Sequence, residues 1–394
     1  MNLKFTYDVP MEDSKLLMCN QCLLPQTHET ISYDNRGVCS VCFNSSEKDL
    51  VDWSSRKKEL FRIIEEVKAQ GKNYDCVVPF SGGKDSTFSL YYVVKTLKLR
   101  PLVASFDHGF YRSGLLENRD RVLKQLGVDF ISFTPNWKLV KDLMLTSLKD
   151  RGDFCWHCHT GVSAFPVRTA IEKQIPLVIW GESTTEYTNY YKTNQFHNID
   201  EELYNRIANL GISAKDMAIR LDGKYQNCEL LPFEFPSQDE IKNARIRSFP
   251  LGSYIKWDTK SQVRIIKDEL GWKGDSVEGV PDIYDYEKIE CMMQGVRDYL
   301  KYRKRGYARA THLTSIDLRN GTLTRADALD LVSRFESTKP YSLPLFLQIL
   351  EISEAELEEI ISEQVIDPWD GAVPVRIGKK PHDYENWVNK LLKR

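Results

Sequence analysis

Short apolar runs alternate with amphipathic stretches along the first two thirds of the chain. Cys76-Val77-Val78-Pro79-Phe80 is apolar and compact, and it reads as a buried strand. Residues 101–109, 129–133 and 177–187 repeat the theme, each with an apolar run that gives way to polar residues. Between these runs, residues 87–97, 119–126 and 140–148 carry the helical period. The alternation predicts an α/β fold built on a doubly wound parallel sheet. Ahead of it, residues 54–70 predict a helix with Leu60, Ile63, Ile64 and Val67 on one face. Beyond it, 195–224 predicts an inserted helical segment or lid, and 248–252 a turn. Residues 260–271 predict a helix closed by glycine, and 341–363 helical packing. Three regions follow: a small cysteine-rich lobe at 15–50, the α/β unit at 51–260, and a mostly helical region at 261–394.

The stretch between the first strand and its helix is Ser81-Gly82-Gly83-Lys84-Asp85-Ser86. Two glycines allow a sharp turn and close approach of a phosphate to the backbone. The following helix offers unpaired N–H groups and the positive end of its dipole. Ser81 and Ser86 add hydroxyls, and Lys84 adds a charge. The loop lacks the spacing of a Walker-type motif. It resembles the SGGxDS loop of the PP-loop ATP pyrophosphatases, and that resemblance implies an α/β fold related to theirs, ATP and Mg²⁺ as cofactors, and release of pyrophosphate. It also implies that Ser81, Lys84 and Asp85 serve the chemistry, with Ser81, Gly82, Gly83, Lys84, Asp85 and Ser86 around the phosphates. In a doubly wound sheet, ligands lie at the carboxyl ends of strands. Asp107 and His108, at the end of the second strand, are therefore expected at the nucleotide. Gly181 and Glu182 close a later strand, and Glu182 with Glu186 is spaced to face one side of a helical turn. Those two carboxylates suit Mg²⁺ or the nucleotide, or else enrich a helix N-terminus in acid.

Composition narrows the setting. The chain has 394 residues, more than one ordinary core holds. A formal net charge of −2 argues against a dedicated nucleic-acid binder. No apolar run is long enough to span a bilayer, and the first ten residues lack a signal-peptide layout. A soluble cytoplasmic protein is expected. In that compartment the nine cysteines favour metal over disulfides. Cys19-Asn20-Gln21-Cys22 and Cys39-Ser40-Val41-Cys42 have the spacing of a four-thiolate zinc ribbon, with a ribbon strand at 30–33. Such a site leaves no open coordination position, so its role is structural. Cys155-Trp156-His157-Cys158-His159 is less determinate. Cys155 and Cys158 are candidates for a second metal site completed by His157 or His159, Cys228 or Cys291. They could instead hold an iron–sulfur cluster or be a reduced pair beside the active site.

The last third adds a basic cluster, residues 297–309, with aromatic residues between its charges. That mixture suits a nucleotide-sugar or single-stranded RNA, or a solvated helix face. Across residues 18–333 the four-cysteine ribbon, the SGGKDS loop and the Cys-x-x-Cys-His element come first. The run Arg297-Asp298-Tyr299-Leu300 … Arg309-Ala310-Thr311-His312 … Asp317-Leu318-Arg319-Asn320-Gly321 … Thr324-Arg325-Ala326-Asp327 follows. In this order they resemble the N-acetyl sugar amidotransferases of surface-polysaccharide and nonulosonic-acid biosynthesis (the WbpG and PseA type). The resemblance implies conversion of an N-acetyl group to an acetamidino group through an adenylated intermediate. It also implies Arg309, His312, Arg319 and Arg325 as sugar contacts, and ammonia from a separate glutaminase (HisH-like), with a HisF-like subunit. Two other readings share the loop. One is a tRNA thiolase using Cys155 and Cys158. The other is a non-catalytic ATP- or sugar-binding subunit of a biosynthetic complex.

Overall fold

A computed structural model describes residues 16–183, 196 and 199–393. Five parallel strands form one sheet in the order β3-β2-β1-β4-β5. They are β1 (Cys76–Pro79), β2 (Pro101–Phe106), β3 (Asp129–Phe133), β4 (Leu177–Trp180) and β5 (Arg247–Pro250). The β1, β2 and β4 strands carry almost unbroken apolar burial, as a sheet covered on both faces requires. The helices α2 (Trp53–Lys68), α3 (Lys84–Tyr91) and α4 (Ser113–Leu126) pack on one face together with the helix Thr259–Leu270. The helix α6 (Trp156–Glu172) covers the other face. The doubly wound α/β architecture is thus present, with a cysteine lobe before it and helices after it.

Two local expectations need correction. Residues 248–252, read as a turn, begin with the strand β5; the turn Leu251–Ser253 comes only afterwards. Its proline hid it. Pro250 ends an edge strand, where a missing N–H costs no ladder bond. The ribbon strand at 30–33 reduces to a single antiparallel bridge between Tyr33 and Cys39. So small a lobe has little core beyond its thiols, and their geometry rather than a ladder shapes it. The helix expected at 87–97 starts earlier, at Lys84, and passes into a π-helical turn over Tyr92–Thr96. Glu186, paired with Glu182 in the sequence reading, lies outside the described residues. No helix among the described residues is long and apolar enough to cross a membrane.

Cys19, Cys22, Cys39 and Cys42 are buried, with all four Sγ atoms within 4.8 Å of one another. The N–H groups of Gln21 and Cys39 donate to Cys19 Sγ at 3.4 and 3.3 Å, which favours thiolate. This donor set fits a single four-coordinate metal ion. The lobe is clamped to the C-terminal helices. Arg325 donates to the carbonyls of Cys19 and Asn20, at 3.3 and 2.8 Å. Tyr307 packs into the thiol cluster.

Between sheet and α6 the packing is tight. A Cβ on Gly161 would fall 2.3 Å from the ring of Phe106, which is 2% exposed and ringed by Phe133 and Phe233. Gly161→Ala should therefore destabilise the domain by about 1–3 kcal/mol in urea unfolding. Purified protein should carry one metal ion per chain by elemental analysis, and Cys22→Ser should lose both that ion and protease resistance of the lobe.

Candidate nucleotide site

The strand order reverses between β1 and β4, so the crevice at their carboxyl ends is where this topology receives a ligand. A cavity of about 180 Å³ lies there. The loop after β1 supplies Ser81, Gly83, Lys84, Asp85 and Ser86, and the turn after β4 supplies Gly181 and Glu182. Ala104, Phe106, Val162, Pro166 and Trp180 give it an apolar lining, and Tyr286, Lys288 and Glu290 join from beyond the sheet. The lining combines an apolar set suited to a base with a charged, glycine-bearing loop suited to phosphates.

The loop is cross-linked by its own hydroxyls. Ser86 Oγ accepts from the N–H groups of Ser81 and Gly82 at 3.3 and 3.2 Å, and donates to the Gly83 carbonyl at 3.2 Å. Gly82 turns at φ +92°, a conformation that excludes most side chains. Its carbonyl accepts from Trp272 Nε1 at 2.9 Å. Gly83 is the N-cap of α3 and offers no side-chain acceptor, and Lys84, Asp85 and Ser86 of the first turn line the cavity.

Charge is dense and buried here. Lys84, 6% exposed, pairs with Asp85 at 2.5 Å and with Glu287 at 2.8 Å. Burial opposes the charge on Glu287, but Lys84, Lys288 and Arg309 outweigh it and hold its carboxyl below the usual range. Glu182 behaves oppositely. Burial, then the neighbouring Asp85 charge, pushes it up to about 8. Three carboxylates (Asp85, Glu182, Glu290) face two lysines (Lys84, Lys288) in the cavity wall. A polyphosphate entering such a wall calls for a divalent cation, and Asp85 with Glu182 is the pair placed to hold it.

The loop residues, Gly181 and Glu182 thus converge as the sequence reading grouped them. Asp107 does not join them. Its carboxylate accepts from Gly109 N–H at 2.8 Å, while Phe106 and Ala104 of the same strand line the cavity. His108 is buried behind the wall, 4.3 Å ring to ring from Tyr111. Glu287, Lys288 and Glu290 belong to no motif singled out in the sequence. Trp180 and Phe106 looked like ordinary strand residues.

The second cysteine pair lies beside this site. Cys291 forms a backbone bridge with Tyr111, and His157 Nε2 donates to the His108 carbonyl at 3.3 Å. Burial pushes both Cys158 and Cys291 up to about 12, and each also raises its neighbours. Cys228, the other candidate third thiol, is exposed and hydrogen-bonded to Gln226 instead. Among the described residues, only the amino-terminal four cysteines close to metal-ligating distance. His157 and His159 are pushed down to about 4 and 3, chiefly by burial, so both are neutral imidazoles at pH 7.

The sugar-site candidates divide. Arg309 pairs with Asp298 at 3.2 Å in a cavity on the far side of the cysteines, and His312 stands one turn further along the same helix, Arg309–Arg319. Arg319 lines a third cavity with Trp257 and Tyr286. Arg325 braces the cysteine lobe as described, away from all three cavities.

Because Glu182 is protonated at pH 7 and a cation would draw out that proton, binding of ATP with Mg²⁺ should release a proton to the buffer. Titration calorimetry in buffers of different ionisation enthalpy reads this. The buffer dependence should vanish in Glu182→Gln and shrink in wild type above pH 8, where Glu182 is already charged.

Residues 280–393 match the family described as LPS biosynthesis protein WbpG-like, C-terminal domain. An uncharacterized protein of Methanocaldococcus jannaschii is 28% identical over 143 residues, 36% of this chain and 50% of that protein. The glutamine-hydrolyzing GMP synthase of Pyrobaculum aerophilum is 32% identical over 85 residues, 22% of this chain and 17% of that protein. The matches thus span half of one curated relative and less of the other. The solved U34-tRNA thiolase NcsA of Methanococcus maripaludis, with its 4Fe–4S cluster, aligns over 86% of this chain and 89% of its own. Its TM-score is 0.33 and its identity 14%. Residues 280–393 thus match a WbpG-like C-terminal domain, placed after the α/β unit that carries the Ser81–Ser86 loop.

Proposed function

We propose that the protein is an ATP-dependent amidotransferase that converts the N-acetyl group of a sugar, free or nucleotide-linked, to an acetamidino group. The observation that carries this reading is where the WbpG-like domain sits. Its Tyr286, Lys288 and Glu290 line the loop cavity, and its Glu287 pairs with the loop lysine. A ligand held by that domain would meet ATP at the loop.

The chemistry suits such a meeting. An acetamide carbonyl resists ammonia because oxide is a poor leaving group. Attack of the carbonyl oxygen on the α-phosphorus of ATP forms an O-adenylyl imidate and expels pyrophosphate. Ammonia then adds to the imidate carbon, and AMP leaves with the oxygen. Lys84 and the α3 N-terminus would stabilise the departing pyrophosphate, and Asp85 and Glu182 would hold Mg²⁺, which would supply neutralising charge for the phosphates. Zinc is the metal proposed for the four-cysteine lobe. Ammonia would come from a separate HisH-like glutaminase, with a HisF-like subunit between the two, in the cytoplasm, on a path of lipopolysaccharide or nonulosonic acid biosynthesis.

A second reading, tRNA thiolation, draws on one observation: Cys155, Cys158 and Cys291 share the cavity's flank. The two readings separate in one assay. With ATP, Mg²⁺, ammonium and a panel of N-acetylated sugar nucleotides, the amidotransferase should form AMP and pyrophosphate with one acetamido sugar. The product should be lighter by the difference between O and NH, and Lys84→Ala should slow turnover at least about 100-fold. AMP formed only with tRNA and a sulfur donor, by protein with visible absorbance after anaerobic purification, would replace the proposal with the thiolase.

A further inference from the structure

A second enclosed cavity, also about 180 Å³, opens where three regions meet. Its walls come from residues 152–154 before α6, from the helix Gln294–Arg305 with Arg309, and from Glu29 of the cysteine lobe. Five cations reach it: Arg297, Lys301, Lys304, Arg305 and Arg309. Only three carboxylates answer them, Glu29, Asp153 and Asp298. Each carboxylate is taken by one arginine. Arg297 meets Asp153 at 3.5 Å, Arg305 meets Glu29 at 2.8 Å and Arg309 meets Asp298 at 3.2 Å. Asp298 is itself fixed by Gln294 Nε2 at 2.9 Å, so Arg309 is held from behind.

Two lysines are left over. Lys304 donates to the Arg151 carbonyl at 3.0 Å. Lys301 makes no ion pair among the described residues; its Nζ lies 4.2 Å from the centre of the Tyr307 ring. Burial, then the neighbouring Arg309, pushes it down to about 8. The excess of two cations is the charge of a phosphate dianion, and the guanidinium forks supply the paired donors that phosphate oxygens accept. A carboxylate would neutralise only half of it. Arg309 also acts on Glu287, the partner of Lys84, so the cavity adjoins the nucleotide site.

We propose that this cavity is a phosphate-binding site, with Lys301 at its centre, that anchors the phosphate or diphosphate of the sugar acceptor. Its assignment to the acceptor rests on the amidotransferase reading; the anion site itself rests on the cavity alone. Calorimetric titration with inorganic phosphate and with UDP tests it. Lys301→Gln should weaken both by at least about tenfold, and Lys301→Arg should retain them. The proposal is overturned if wild type shows no saturable binding. It is equally overturned if Lys84→Ala abolishes binding that Lys301→Gln retains, or if N-acetylneuraminate, a carboxylate, binds where phosphate does not. AMP formation with an acetamido sugar beside unchanged phosphate binding in Lys301→Gln would remove this site and leave the amidotransferase standing. Lys301-dependent binding without any sugar-dependent AMP would support the site and remove the amidotransferase.

Discussion

The buried ion pair between Lys84 and Glu287 is the constraint on which the site depends. An ammonium this deep is tolerated only with partners, and breaking such a pair costs about 3–5 kcal/mol because one charge is left alone. The pair joins two parts of the chain 203 residues apart, as 287 minus 84 gives. The loop cannot hold its lysine in place unless the segment around Glu287 is docked. Trp272 adds a second tie, from a buried indole to the carbonyl of Gly82. Loop geometry and docking of the C-terminal region are therefore one folding event, and a nucleotide site complete in its wall exists only when both are present.

The same coupling runs through the small lobe. Arg325 and Tyr307 of the C-terminal helices hold the cysteine knuckle, and Arg305 reaches Glu29 of that lobe. Four thiolates fix the lobe's shape, and the lobe in turn supplies one wall of the basic cavity. A metal held by the four thiols would thus shape that cavity from a distance, by fixing the backbone that carries Glu29.

Much of this was legible in the sequence, because period and spacing are local. The strand at 129–133 appears within its expected limits, and the loop, Gly181 and Glu182 converge because the strand order forces them to one edge. What was not legible depended on partners far along the chain. Arg325 carried the pattern of a substrate contact and is occupied by two backbone carbonyls. Asp107 stood at the right strand end, and a local turn to Gly109 claimed its carboxylate. Glu287 carried no motif at all; its meaning comes from Lys84, which the sequence cannot place beside it. Strand β5 was missed because Pro250 signals a turn unless the strand is known to be at the edge.

The two cavities differ in charge, and that difference orders the chemistry they can serve. The nucleotide cavity sets carboxylates beside its lysines, so a polyphosphate there calls for a divalent cation. The basic cavity has cations to spare and needs no metal to hold phosphate. A metal-loaded nucleotide would thereby favour the loop and a metal-free phosphate ester the basic cavity, although both carry the same functional group.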